Sequence, residues 1–201
     1  MSGIVNSTGA RSGVIGTTVG TPSSGATAGN LVLGDSRDFT ADDGNSIPLA
    51  LASGYDVHVV ELENLGIATD DNHIYLRLGT SDSSFAITGY NFTGTFQRFH
   101  GPTDTQTEGE FKGTDSLCYF YFMANETSRP LSGALRIYGA RNSSHYTNAT
   151  GHHVYWAEDD YVRNYVWSSS LNPAQDNSHI LIYTSSGNID MGTIKVYGVK
   201  N

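Results

Sequence analysis

From Ile47 onward, apolar residues recur at every second position in short runs, and turn-forming clusters separate one run from the next. A period of two is the mark of strands with one buried face. In Ile74-Tyr75-Leu76-Arg77-Leu78, the residues Ile74, Leu76 and Leu78 share one face, and Tyr75 and Arg77 share the other. Val57-His58-Val59-Val60-Glu61-Leu62 also reads as a strand. The intervening Thr69-Asp70-Asp71-Asn72 supplies side chains that hydrogen-bond their own backbone in turns. Leu117 to Met123 is apolar on both faces, the pattern of a central strand in a two-sheet stack. Val154-Tyr155-Trp156, Tyr161 to Trp167 and Ile180-Leu181-Ile182-Tyr183 continue the series. The pattern predicts an all-β, antiparallel sandwich.

The N-terminal stretch is different. Up to Gly34 it is dominated by glycine, serine and threonine, and Arg11 is the only charged side chain before Asp35. So little apolar surface cannot offset the entropy of ordering the chain, which predicts a flexible, extended arm over residues 1–34 and a sandwich domain over 35–201. The arm carries a short repeat. Ser2-Gly3-Ile4-Val5-Asn6-Ser7-Thr8 returns as Ser12-Gly13-Val14-Ile15-Gly16-Thr17-Thr18, with a β-branched apolar pair behind each Ser-Gly. Ile4, Val5, Val14 and Ile15 are therefore candidate anchors that dock on a partner's sheet.

A second repeat lies in the body. Gly133-Ala134-Leu135-Arg136-Ile137-Tyr138-Gly139-Ala140-Arg141-Asn142 matches Gly192-Thr193-Ile194-Lys195-Val196-Tyr197-Gly198-Val199-Lys200-Asn201. Each copy predicts a strand with two aliphatics inward, a basic residue and a tyrosine outward, and a glycine that ends the pairing or makes a bulge. The outward faces are a candidate contact surface, although a structural repeat explains the pattern equally well.

Length and composition narrow the function classes. A chain of 201 residues suffices for one core, and 15% charged residues with no Ala/Glu/Lys/Leu-rich stretches fits strands and tight turns. With 20 acidic against 11 basic residues the net charge is −9, which opposes a nucleic-acid groove and an anionic membrane surface. No apolar run is long enough to span a bilayer, and Met1 to Asn6 lacks the pattern of a signal peptide. The Asn-x-Ser/Thr sequons at Asn6, Asn91, Asn125, Asn142 and Asn148 are accordingly given no weight. Cys118 is the one cysteine, so an intrachain disulfide is impossible, and its apolar surroundings predict an inert core thiol.

The Ser-Gly-Ile-Val opening with its Gly/Thr arm, together with the closing run from Gly192 to Asn201, resembles a loose group of virion structural proteins of tailed, especially marine, bacteriophages. That resemblance covers the two ends well and the middle only in style. It implies a jelly-roll-like sandwich, a non-enzymatic role as capsid decoration (cement) protein or tail-fibre component, and residence in the virion. It also implies a homo-oligomer, expected to be a trimer, with the major capsid protein or another virion protein as partner.

Candidate chemistry is sparse. Leu31-Val32-Leu33-Gly34-Asp35-Ser36 with Asp176-Asn177-Ser178-His179 resembles the first and last blocks of SGNH hydrolases, in which serine attacks an ester, histidine takes its proton and aspartate orients the histidine. The Gly-x-Asn-Asp block of that family is absent, its fold is α/β, and His179 runs into a strand. Of the histidines, His145, His152 and His153 invite a metal reading, but adjacent strand residues point to opposite faces. Asp42-Asp43-Gly44-Asn45, Asp70-Asp71-Asn72 and Glu158-Asp159-Asp160 are acidic enough for calcium, yet none has full calcium-loop spacing. Glu61 and Glu63 share one strand face and so cannot straddle a scissile glycosidic bond. No catalytic residue, metal or cofactor is expected. Tyr155, Trp156, Tyr165 and Trp167, with Tyr161 near them, are candidate glycan-contact aromatics, because flat rings exposed on a sandwich face stack on sugars; core packing is the commoner fate of strand aromatics.

Overall fold

The computed structural model describes residues 31–40, 43–69, 72–99, 107–123, 129–156 and 161–200. Twelve strands lie among them: β1 (Leu31–Phe39), β2 (Ser46–Ala50), β3 (Val57–Ile67), β4 (Asn72–Gly79), β5 (Tyr90–Phe99), β6 (Thr107–Gly113), β7 (Cys118–Met123), β8 (Leu131–Tyr138), β9 (Thr147–Trp156), β10 (Val162–Leu171), β11 (His179–Thr184) and β12 (Ile189–Val199). They form an eight-stranded sheet, β1-β12-β3-β8-β9-β10-β5-β6, and a four-stranded sheet, β2-β11-β4-β7. Every pairing is antiparallel. The chain is thus the all-β sandwich that its alternation predicts, and its layout is compatible with a jelly-roll-like arrangement.

The period of two builds the core directly. Ile74, Leu76 and Leu78 of β4 and Ile180 and Ile182 of β11 point in from the small sheet, and Val60, Leu62, Leu135, Ile137, Ile194 and Val196 meet them from the large one. Each such side chain contributes about 1.5–3 kcal/mol by leaving water. Polar ties join the sheets. Tyr90 Oη of β5 accepts the Leu78 N–H of β4 at 2.7 Å, and at one edge the Asp35 carboxylate of β1 accepts the Ala50 N–H of β2 at 2.7 Å.

Leu31 to Gly34, assigned to the arm on composition, form the first half of β1, and Leu31 to Leu33 pair with the end of β12 ahead of a bulge at Gly34, so the sandwich starts by Leu31. The backbone pairing offered by β12 outweighs the low complexity of the approach. Leu117 to Met123 is not central: β7 ends the order of the small sheet, beside β4 alone. The side chain of Cys118 lies outside the described residues, as do the arm anchors Ile4, Val5, Val14 and Ile15.

The body repeat has a simple placement. β8 and β12 flank β3 on its two sides, with Leu135, Ile137, Ile194 and Val196 inward and Arg136, Tyr138, Lys195 and Tyr197 outward. Gly139 closes β8, while Gly192 sits in a bulge of β12 at φ 102° opposite Asn64 at φ 53°. A Cβ on Gly192 would meet the Asn64 carbonyl carbon at 2.7 Å, so the bulge requires glycine.

Candidate functional site: a trough across the outer face of the large sheet

Register carries side chains across the outer face of the large sheet in rows. One row runs Leu31, Val199, Val57, Tyr138, Asn148, Ser170; the next Leu33, Tyr197, Val59, Arg136, Thr150, Ser168, Thr93; the third Lys195, Glu61, Ala134, His152, Val166, Thr95, Glu110. Short side chains at Ala134, Thr150, Ser168, Thr93 and Thr95 leave the middle of this face low. The result is an open trough of about 1280 Å³, with Leu31, Val57, Val59, Val199 and Tyr138 at one end and Glu110 at the other. A smaller hollow of about 450 Å³ beside Gln97 and Asn164 adjoins it through Thr95, Val166 and Glu110.

Beneath the trough the same strands are dry and aromatic. Tyr165 stacks on His153 at 4.7 Å between ring centroids, on Phe96 at 5.4 Å and on Tyr155 at 5.8 Å. Trp167 Nε1 donates to His153 Nδ1 at 3.3 Å, which leaves the imidazole proton on Nε2. Burial holds the His153 pKa well below its ordinary value. Trp167 sits between Gly151 and Gly94 in register, and a Cβ on Gly151 would overlap its indole. The missing side chain of Gly151 therefore leaves room for the indole on the inner side of the sheet.

This arrangement corrects the glycan-contact set. Tyr155, Tyr165 and Trp167 are core residues at 1%, 2% and 4% exposure, whereas Trp156 projects outward at 43%. The reason is alternation: Trp156 follows a residue of the inward set, and Tyr165 and Trp167 share the inward side of β10. Trp156 stands in register with Val162 and Phe99, a second outward apolar row.

The other candidates separate as follows. Ser36, paired with Lys195, lies on the outer face of the large sheet, while His179 alternates with the core residues Ile180 and Ile182 and so lies on the outer face of the small one. The core stands between them, so Ser36 and His179 do not pair. Asp176 is ion-paired with Arg141 at 3.0 Å, and His179 Nδ1 lies 2.8 Å from Ser178 Oγ. His152 faces the trough and His153 the core, and His145 is exposed in a turn, so the three do not converge. Among the described residues no group of His, Cys, Asp or Glu is placed to hold a metal ion. Asp43 accepts the Thr40 N–H at 2.7 Å and binds Arg37, and Asn72 Oδ1 accepts the His73 N–H at 2.7 Å, so both act in turns. Asp42, Asp70, Asp71, Glu158, Asp159 and Asp160 lie outside the described residues.

Glu61 and Glu63 do share the outer face, but Glu63 is engaged by Lys195 through contacts of 2.7 and 2.8 Å. That pairing raises the Lys195 pKa, while burial, reinforced by the Glu61 charge, raises that of Tyr197. Glu61 and Glu110 share a row but are separated by five strand spacings, roughly 24 Å at about 4.8 Å each. Glycosidase carboxyls stand about 5–9.5 Å apart. Arg136 and Tyr138, outward in the sequence repeat, do line the trough. Its hydroxyl floor escaped notice in the sequence; the available signal was Asn91-x-Thr93-x-Thr95-x-Gln97 and Asn148-x-Thr150-x-His152, two strands that flank β10 and whose outward positions are all polar and mostly short.

No family model matches the chain, and no curated protein matches it. Among solved structures it is similar to a product complex of the Bacteroides ovatus mixed linkage glucan GH16, with 9% identity over 83% of this chain and 85% of that one at a TM-score of 0.24. It is also similar to the infectious bursal disease virus Gt strain structure, with 8% identity over 94% of this chain and 46% of that one at a TM-score of 0.11. Likenesses this slight carry no argument.

Proposed function

We propose that this chain is a non-enzymatic structural protein that works by docking, with the outer face of its large sheet as the docking surface. The observation that carries this reading is the trough, an open channel floored by short hydroxyl side chains and apolar at the end where β1 begins. Such a floor offers hydrogen bonds along its length to an extended polymer, and no reacting group is focused on one point. Ser36 and His179 on opposite faces, Glu63 tied to Lys195, and Glu61 remote from Glu110 all support a role without turnover. The virion as setting, with capsid decoration ahead of tail fibre, and a trimeric state rest on the resemblance of the two chain ends. Mass spectrometry of purified particles of the encoding virus should find this chain. Its absence from intact particles, or Ser36-dependent ester hydrolysis by the purified protein, would overturn the reading.

The outward row of Trp156, Val162 and Phe99 favours a second reading, an adhesion module for a host glycan, because an exposed indole is the usual platform for a sugar ring. Binding on a glycan array that weakens at least about tenfold in Trp156→Ala would establish it. An array without hits on folded protein removes it.

A further inference from the structure

The trough floor holds an unused cation. Arg37 binds Asp43, Arg77 donates to the Asp115 carbonyl at 3.0 Å, Arg98 lies over the Tyr161 ring at 4.9 Å and Arg141 pairs with Asp176. Arg129 and Arg163 are engaged as well. Arg136 alone among the described arginines has no hydrogen bond, ion pair or ring contact, although the chain carries 20 acidic residues against 11 basic ones. It is exposed, it lines the trough on a strand in the middle of the large sheet, and its neighbours in register are Val59 and Thr150. A guanidinium left unpaired there presents a fork of donors suited to the two oxygens of one carboxylate.

The surroundings choose the carrier of that carboxylate. From Arg136 the register runs through Thr150, Ser168 and Thr93 on three consecutive strands, so three exposed hydroxyl residues follow the guanidinium across the floor. They stand about 4.8 Å apart from strand to strand, close to the length of one pyranose unit, whereas an extended peptide advances roughly 3.3–3.6 Å per residue and falls out of step. A peptide also finds no ladder here, because β8, β9, β10 and β5 each pair on both sides and leave no backbone edge under the trough. Two positions along β8 from Arg136, hence about 7 Å away, Tyr138 is 37% exposed on the same face and offers an aromatic ring for a sugar to stack on. Charge sets a further limit. Glu61 and Glu110 lie in the next row of the same trough and the chain carries a net −9, so a polymer with a negative charge on every unit is repelled.

We propose that the trough binds a mostly neutral glycan bearing a carboxylated sugar, with the carboxylate on the Arg136 guanidinium, that sugar's ring on Tyr138 and neighbouring units along Thr150, Ser168 and Thr93. This rests on the docking role proposed above and names the ligand of its surface. Trp156 lies six positions along β9 from Thr150, roughly 20 Å away, and its row is a separate surface.

The test applies the full-length chain to an array of neutral oligosaccharides, the same oligosaccharides with a single glucuronate, galacturonate or sialate unit, polyuronates, and a polyglutamate peptide. Hits confined to the singly carboxylated sugars are expected. For the tightest of them, reduction of the carboxyl to an alcohol should weaken binding at least about tenfold in calorimetry. Arg136→Gln should bind the carboxylated and reduced forms equally, with the melting temperature of the parent, since Arg136 is exposed and unpaired. Ala134→Trp, which fills the floor beside Arg136, should weaken both forms. Equal binding of the two forms by the parent overturns the proposal. So does polyglutamate bound as tightly as the sugars, which makes the occupant an acidic peptide, or binding lost in Trp156→Ala yet untouched in a folded Ala134→Trp, which puts the glycan on the other row. No hit from folded parent protein also overturns it. If the chain is then found in purified particles, the docking role stands without a glycan; if it is absent from them, both readings fall.

Discussion

On β9 and β10, neighbouring residues meet opposite fates. His153, Tyr155, Tyr165 and Trp167 turn inward and stack into a ladder, whereas Thr150, His152, Val166 and Ser168 turn outward and leave a channel. The same backbone pairing serves both sides. What differs is side-chain volume: large flat rings fill the inner face, where glycines such as Gly151 make room for them, and short polar groups leave the outer face hollow. The face that excludes water is closely filled, and the opposite face is left hollow. That contrast predicts that equal changes on the two sides will have unequal costs.

The largest difference should come from truncation. Leu76→Ala, at a fully buried site of β4, should lower stability by about 2–5 kcal/mol in chemical denaturation, while Thr150→Ala on the trough floor should stay within about 0.5 kcal/mol. Equal losses would mean that the outer face is packed after all. Next comes Gly151→Ala, whose added methyl meets the Trp167 indole on the inner side and should cost about 1–3 kcal/mol. Ala134→Trp adds far more volume on the outer side and should leave the melting temperature nearly unchanged.

Acid should single out the inner face. His153 and His58 are buried, and burial lowers both pKa values below the ordinary 6.5. The folded state therefore binds fewer protons than the unfolded one below that value, so stability is fully present above pH 6.5 and falls as the pH drops toward the folded-state values. Each histidine contributes a slope of up to about 1.4 kcal/mol per pH unit in that window. Unfolding measured from pH 7 to pH 5 should show the decline, and His153→Gln should flatten it. The outward His152 should leave the slope unchanged when replaced by glutamine.

Much of this contrast was legible in the sequence because alternation is a local property. Ile74, Leu76 and Leu78 announce their face within five residues, and the Gly133 and Gly192 repeats announce two strands of one pattern. The pairing of both repeats with β3 was not legible, since strand order is settled by contacts between distant segments. The same limit misplaced β7: an apolar run shows that a strand is covered, not whether it has a neighbour on each side. The aromatics failed for a subtler reason. Tyr155 and Trp156 are equally aromatic, and only the phase of the alternation, set by His153 and Tyr155 facing the core together, decides which one is wet. The trough itself left the faintest trace, because a cavity is made by what short side chains fail to fill, and threonine and serine in a strand read as ordinary solvated positions.

The smallest predicted effect concerns the charged border of the outer face. Lys195 and Glu63 lie on adjacent strands with contacts of 2.7 and 2.8 Å, yet their side chains are 32% and 45% exposed. Water screens such a pair, and holding two long side chains in one geometry costs entropy, so Lys195→Met should barely change the denaturation midpoint. The informative readout is salt. If the pair contributes through charge, the small difference between Lys195→Met and the parent should shrink further as ionic strength rises from about 0.05 to 1 M, where the Debye length falls to about 3 Å. A clear drop in the midpoint that survives high salt would mean that the Lys195 stem packs over Tyr197 and Val59, and that this end of the outer face is built like the inner one.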